Sequence, residues 1–316
     1  MTPPCLGVGM TIDIRRIATV ATGQLGSFSR QQAHAEGMTD RQLRGRVQSG
    51  LLEQIGPHTF RLPGAPPGVL ADLRALLLDI GEPCWASGPT AAALHGFDGF
   101  ALHRPLHVTV PRDRNVRRIG VHVHSSAEVP LLDREELGGI PVTSPTRTLI
   151  DLARGEPPER LTAAVDAALR DGKTTEDALH RRIAALRSRG RYGIPTLLDV
   201  LEGREVTRGG HSWLERTFLR LVADAGLPRP ETQVVLTTAG DHLVRVDCRF
   251  PQTGIVVELL GYRYHRTKQQ MSRDAERLNA LVLDGFLPYQ FTYDQIVDDS
   301  DHVLATVRLA LLRASA

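Results

Sequence analysis

The sequence predicts a multidomain chain of mixed α+β and α/β class. Three stretches carry that expectation. Residues 11–62 run helix, helix, helix, hairpin, and residues 69–153 mix helices with short alternating strands. Residues 211–316 run helix, strand, strand, helix, strand, helix around the nearly all-apolar strand IVVELL, the mark of a mixed sheet with a buried strand. Residues 154–210 are helical and then turn Gly- and Arg-rich in RSRGRYG and EGREVTRGG, which reads as a helical connector and linker. The expected division is a disordered tail over 1–10, an N-terminal module over 11–65, a middle α+β domain over 66–153, a connector over 154–210 and a C-terminal α/β domain over 211–316.

Composition narrows the setting. The chain has 316 residues, 41% of them hydrophobic and 23% charged, as ordinary globular domains do. No run nears the roughly 18 apolar residues a membrane span requires, and MTPPCLGVGM lacks the basic and apolar regions of a signal peptide. A cytoplasmic protein is expected, with Met10 as an alternative start. Cys5, Cys84 and Cys248 are odd in number and far apart, so they offer no disulfide framework and no metal-ligand spacing. The formal charge of +2 is too small to indicate nucleic acid by itself, so the placement of the arginines matters more.

In the N-terminal module, Ile14, Ile17 and Ala18 have helical spacing. A second helix starts after Ser27 or Ser29 and stops at Gly37. Thr39 caps a third, with Gln42 three positions on completing a capping box. On that helix Leu43 and Val47 face the core, with Leu51 just beyond its end, while Arg41, Arg44 and Gln48 share another face, flanked by Gln42. Gly50 ends the helix, and LLEQIGPHTFRL folds as a hairpin around Gly56 and Pro57. A basic helix followed by such a wing describes a winged helix-turn-helix. The Arg41, Gln42, Arg44 and Gln48 face suits base edges of double-stranded DNA.

HVTVPRD and GVHVHSS alternate as half-buried strands, and GIPVTSPTRTLIDLA reads as strand, turn and helix start. His122 and His124 share one strand face without a neighbouring Cys or carboxylate, and read as exposed strand histidines rather than metal ligands. With the winged helix, SGPTAAALHGF and VTSPTRTLIDLA, the first 153 residues resemble the AbiEi family of type IV antitoxins. The resemblance implies a DNA-binding autorepressor paired with a nucleotidyltransferase-like toxin.

The C-terminal domain carries the carboxylates. In HSWLERTFLRLVADAGL, Glu215 lies on the shoulder of an apolar helical stripe. In HLVRVDCRF, Asp247 shares a face with Leu243, Arg245 and Arg249, opposite Val244, Val246, Cys248 and Phe250. Glu258 sits inside IVVELL, a costly place for a charge. A loop at 251–254 pairs Phe250 with Ile255, and therefore Asp247 with Glu258 and Arg245 with Leu260. Two carboxylates about 5 Å apart need a cation between them. With Glu215 they form a cluster suited to Mg²⁺ or Mn²⁺, able to activate water for phosphodiester hydrolysis.

RVDCRF, VVELLGYRYH and MSRDAERLNALVLDGF resemble the Vsr-like subclass of the PD-(D/E)XK restriction-endonuclease fold over about residues 211–295. That resemblance gives the metal to Glu215, Asp247 and Glu258, and to His265 a proton-transferring or phosphate-contacting role. Leu260 stands where the family has an acidic residue or a lysine, which leaves room for Arg245 to bridge the carboxylates without a metal. Lys268, Arg273 and Arg277 lie on a following helix as phosphate contacts or as a salt-bridge face around Asp274. Two functions stand open from the sequence. One is a metal-dependent endodeoxyribonuclease of a defence or toxin–antitoxin system. The other is a non-catalytic autorepressor or antitoxin with a degenerate nuclease fold.

Overall fold

The computed structural model describes residues 14–186, 193–208, 213–238, 242–260 and 268–314. They form a mixed α/β chain with three sheets and fall into two units, Met1–Leu152 with Ala163–Lys173, and Ala153–Thr162 with Thr174–Ala316. No helix among the described residues is long and apolar enough to cross a membrane.

The first unit opens with α1 (Ile14–Thr22), β1 (Ser27–Ser29), α2 (Arg30–Ala35) and α3 (Asp40–Gln48), followed by β2 (Glu53–Gln54) and β3 (Thr59–Arg61). The strands form an antiparallel sheet in the order β1-β3-β2. Both short helices carry a complete capping box, Ser29 with Gln32 and Thr39 with Gln42, which satisfies first-turn N–H groups that no helix bonds internally. β1 was not expected, because three residues, SFS, are too few to show an alternation. Its Phe28 stacks on Phe60 at 5.8 Å inside a core that also holds Ile17, Leu43 and Leu52. Just beyond the end of α3, Leu51 is 58% exposed and Leu52 4%, since Gly50 at φ +74 redirects the chain as it leaves the helix.

A five-stranded sheet follows, in the order β6-β5-β4-β8-β7, built from β4 (Trp85–Ala86), β5 (Leu106–Pro111), β6 (Val121–Ser126), β7 (Arg134–Leu137) and β8 (Ile140–Thr143). Leu73, Leu77 and Ile80 of α4 (Val69–Ile80) pack on Ala86, Val108, Val110 and Val142. Asp79 of the same helix is buried, and it receives the His58 N–H at 2.7 Å and the Arg118 Nε at 2.7 Å. The β2–β3 turn is thus fastened to α4 by one carboxylate. SGPTAAALHGF forms α5 (Gly88–His95), ended by Gly96 in the left-handed region, and VTSPTRTLIDLA leads into α6 (Pro145–Leu152). The two stretches meet where His95 Nε2 donates to the Thr143 carbonyl at 2.7 Å. Arg147 of α6 is buried between Asp133 at 2.7 Å and Asp151 at 3.0 Å.

The second unit contains α8 (Glu176–Leu186), α9 (Ile194–Arg208), α10 (Trp213–Asp224), β9 (Glu231–Thr238), β10 (His242–Arg249), β11 (Ile255–Leu260), α11 (Lys268–Leu283), β12 (Leu287–Thr292), α12 (Tyr293–Asp298) and α13 (Ser300–Ala314), while α7 (Pro158–Arg170) divides between the two units. The segment EGREVTR, read as linker, completes α9, and most of RSRGRYG lies outside the described residues. The sheet runs β12-β11-β10-β9, with β11–β12 parallel and the other pairs antiparallel. β9 was missed: its alternation is interrupted at Gln233, which takes φ +53, and its Val235 faces outward. Cys248↔Val257 and Arg249↔Val256 lie on the expected hairpin register, and the Phe250 N–H donates to the Ile255 carbonyl at 3.0 Å. A buried aromatic group ties α8, α10 and α12 together. His180 stacks on Trp213 at 3.8 Å and its Nδ1 lies 2.9 Å from the Tyr293 hydroxyl.

Two outcomes follow from this packing. A Cβ at Gly56 would stand 2.5 Å from Asp79 Oδ1, so Gly56→Ala is expected to cost about 1–3 kcal/mol, read as a lower thermal midpoint. Burial pushes His180 down to about 3. The unfolded imidazole takes a proton near pH 6.5 and the folded one does not, so stability falls as pH drops through the interval between those values. From this residue alone the loss is roughly 2 kcal/mol at most between pH 7 and pH 5. In denaturant titrations at both pH values, His180→Phe should flatten that part of the slope.

Candidate functional site

Two sets of side chains are candidates, one in each unit. The first is the outer face of α3. Leu43 is buried and Val47 packs beside it, which turns Arg41, Arg44 and Gln48 outward, all three exposed. The ion pairs of this region run Arg16–Glu36, Arg30–Asp40, His34–Asp40 and Arg61–Asp72, so no carboxylate meets Arg41 or Arg44 among the described residues. Asp40, the first residue of α3, accepts His34 Nε2 of α2 at 3.0 Å. Gln42 also lies on the exposed side, yet its Oε1 accepts the Thr39 N–H at 2.8 Å and the Thr39 hydroxyl at 2.9 Å. It therefore shapes the start of the helix rather than the open face. Residues 14–62 carry seven arginines against three acidic residues.

The second set lies on the four-stranded sheet. Glu215 comes from α10, Asp247 from β10 and Glu258 from β11, and the structure brings Glu215 and Glu258 each within electrostatic reach of Asp247. The β10–β11 ladder gives way past Cys248↔Val257, and Asp247 Oδ2 accepts the Leu259 N–H at 2.8 Å in place of a backbone partner. Burial raises the Asp247 carboxyl above the ordinary range. The charges of Glu215 and Glu258 raise it further, against the pull of the Leu259 N–H and Arg277. Glu215 Oε1 accepts Gln233 Nε2 at 2.5 Å, a reach associated with the left-handed backbone of Gln233. Glu258, 3% exposed, accepts Arg277 Nη2 at 2.7 Å and Gln290 Nε2 at 3.0 Å on the same oxygen, Oε2.

The other expected site residues fall as follows. His265 lies outside the described residues. Lys268 and Arg273 belong to α11, with side chains outside the described set. Arg277, read as a phosphate contact or as part of a salt-bridge face around Asp274, turns inward to Glu258. Arg245, which the sequence left free to bridge the carboxylates, is exposed, and its carbonyl accepts Arg277 Nη1 at 3.3 Å. Leu260 pairs with Thr292 and adds no polar group. The fit to Mg²⁺ or Mn²⁺ is poor as folded, because a guanidinium already holds Glu258. Among the described residues no group of three or more His, Cys, Asp or Glu is spaced to hold a metal ion.

The residues missed from sequence are Arg277 as the carboxylate's partner and the glutamines 233 and 290. The one available signal was a buried Glu in IVVELL, which demands a donor without naming it. The middle strands add another grouping. His107 stands 4.5 Å from His122 between ring centroids, and its Nδ1 is 3.1 Å from His124 Nε2. Burial, and then the neighbouring His122, His124 and His103, push His107 down to about 4, so it is neutral at pH 7.

Comparison with known proteins bears on the stretch that holds α5 and α6. Residues 84–200 match the AbiEi antitoxin C-terminal domain family. The matched stretch begins at β4's edge and extends through α7 and α8 into α9, beyond the boundary at 153 that the sequence suggested. The chain is also 28% identical, over 280 residues, to the uncharacterized proteins MT2308 and Rv2248 of two Mycobacterium tuberculosis strains, covering 88% of this chain and 98% of each relative. The crystal structure of RV2827C protein from Mycobacterium tuberculosis aligns with a TM-score of 0.42 at 17% identity, covering 60% of this chain and 75% of that one.

The raised Asp247 carboxyl gives a pH-linked outcome. Its folded form holds a proton more readily than the unfolded chain does, so its contribution weakens stability as pH rises out of the carboxylate range. Asp247→Asn, whose amide oxygen still accepts the Leu259 N–H, should be more stable than the native chain at pH 7. That advantage should shrink as pH falls toward 4, as read by denaturant midpoints.

Proposed function

We propose that the chain is a DNA-binding autorepressor of a toxin–antitoxin pair, reading duplex DNA with α3 while the AbiEi stretch serves the antitoxin role. The observation that carries the reading is the open Arg41, Arg44 and Gln48 face on a helix whose opposite side is locked into a core. Arginine and glutamine both present paired donors or acceptors to base edges, and the major groove admits a helix of this size. The β2–β3 hairpin, pinned by Asp79, acts as a wing beside the duplex. The AbiEi match supports a toxin as partner, and the family resemblance read from the sequence makes a nucleotidyltransferase-like gene beside this one the expected companion.

Endonuclease chemistry is not part of the proposal. The three converging carboxylates favour it, but Leu260 removes a polar group and Arg277 occupies Glu258.

Fluorescence anisotropy on the DNA upstream of the chain's own gene tests the reading. Arg44→Ala should weaken binding roughly 5- to 100-fold relative to the native chain. Arg41→Ala, on the same face, should weaken binding over the same range. Glu258→Gln should leave binding unchanged. Native affinity in the Arg41→Ala/Arg44→Ala double variant would sink the proposal.

A further inference from the structure

Among the described residues, Glu258 and Arg277 each leave one buried polar atom without a hydrogen-bond partner, Glu258 Oε1 and Arg277 Nε. Their formed bond joins Arg277 Nη2 to Glu258 Oε2 at 2.7 Å. In a guanidinium, Nη2 and Nε donate side by side, spaced to match the two oxygens of one carboxylate. The two orphaned atoms are therefore the donor and the acceptor that the second bond of such a fork joins. An unsatisfied carboxylate oxygen in an acidic cluster otherwise points to a metal. Here its complement is already present in the chain.

The neighbours hold this arrangement in place. Leu281, one turn beyond Arg277 on α11, is fully buried and fixes the helix against the sheet. Arg277 Nη1 reaches the Arg245 carbonyl at 3.3 Å, and Gln290 from the parallel neighbour β12 steadies Glu258 Oε2 at 3.0 Å. Glu215 and Asp247 each have a protein donor as well, Gln233 and the Leu259 N–H. A divalent cation would have to displace a guanidinium held at contact distance and strip those donors, with two positive groups then competing for one carboxylate.

We propose that Arg277 is the resident cation of the Glu215, Asp247 and Glu258 cluster, so that the native chain takes no divalent metal at this site. The claim is independent of the DNA-binding reading, since α3 has no part in it. Removing the guanidinium leaves Glu258 as an unmatched buried charge beside two other carboxylates. A small divalent ion then becomes the available replacement.

The full chain, Arg277→Gln, Arg277→Lys and Glu258→Gln would be compared by Mn²⁺ electron paramagnetic resonance and by thermal midpoint in Mn²⁺ against EDTA. The native chain should bind no more Mn²⁺ than Glu258→Gln and unfold at the same temperature in both media. Arg277→Gln should unfold several degrees lower and regain part of that loss in Mn²⁺. Arg277→Lys keeps the charge but not the fork, so it should fold, unfold earlier than the native chain, and gain nothing from Mn²⁺. Mn²⁺ binding by the native chain in excess of Glu258→Gln would overturn the proposal, as would an Arg277→Lys midpoint equal to the native one.

Discussion

A carboxylate taken out of water needs donors for its oxygens, and at three places that organise this chain an arginine supplies them. Asp79 is met by Arg118, Asp133 by Arg147, and Glu258 by Arg277, at 2.7 Å in each case. Losing one partner of a buried pair is costly, on the order of 3–5 kcal/mol, because the remaining charge has no water to turn to. Each pair also joins segments far apart in sequence. Asp79 gathers the β2–β3 turn and the loop bearing Arg118, Arg147 seats α6 beside Asp133 and Ser126, and Arg277 seats α11 over β11.

The proposed DNA face depends on the first of these pairs and on the local chemistry around α3. Thr39 and Gln42 satisfy the first turn of that helix, and Asp40 answers His34 and Arg30, so the acidic and amide groups nearest the face are committed elsewhere. Arg41 and Arg44 are left with their charge directed outward. A rigid helix with unmatched guanidinium groups, flanked by a hairpin that a buried carboxylate holds still, presents its contacts without having to order them first. The C-terminal cluster shows the opposite economy of charge, since its arginine is spent inside the unit.

Much of this was legible in the chain itself where the signal is local. The Thr39–Gln42 capping box, the turn at 251–254 and the β10–β11 register each depend on residues within a few positions of one another. So does the apolar stripe that placed Leu43 inward. Where the determinant is distant, the sequence was silent. Nothing adjacent to Glu258 names Arg277, which arrives from the next helix, or Gln290, which arrives from a parallel strand. Arg245 was the nearer candidate by register, but a strand side chain there points to solvent while its carbonyl serves Arg277. β1 and β9 were lost because three residues give no period and because Gln233 breaks one.

Hydrogen–deuterium exchange of the full chain, with and without duplex DNA from upstream of its own gene, measures the central claim most directly. The account predicts that DNA slows exchange over residues 40–48 and 53–61, with residues 213–260 unchanged. Slowed exchange over 213–260 with none over 40–61 would contradict it.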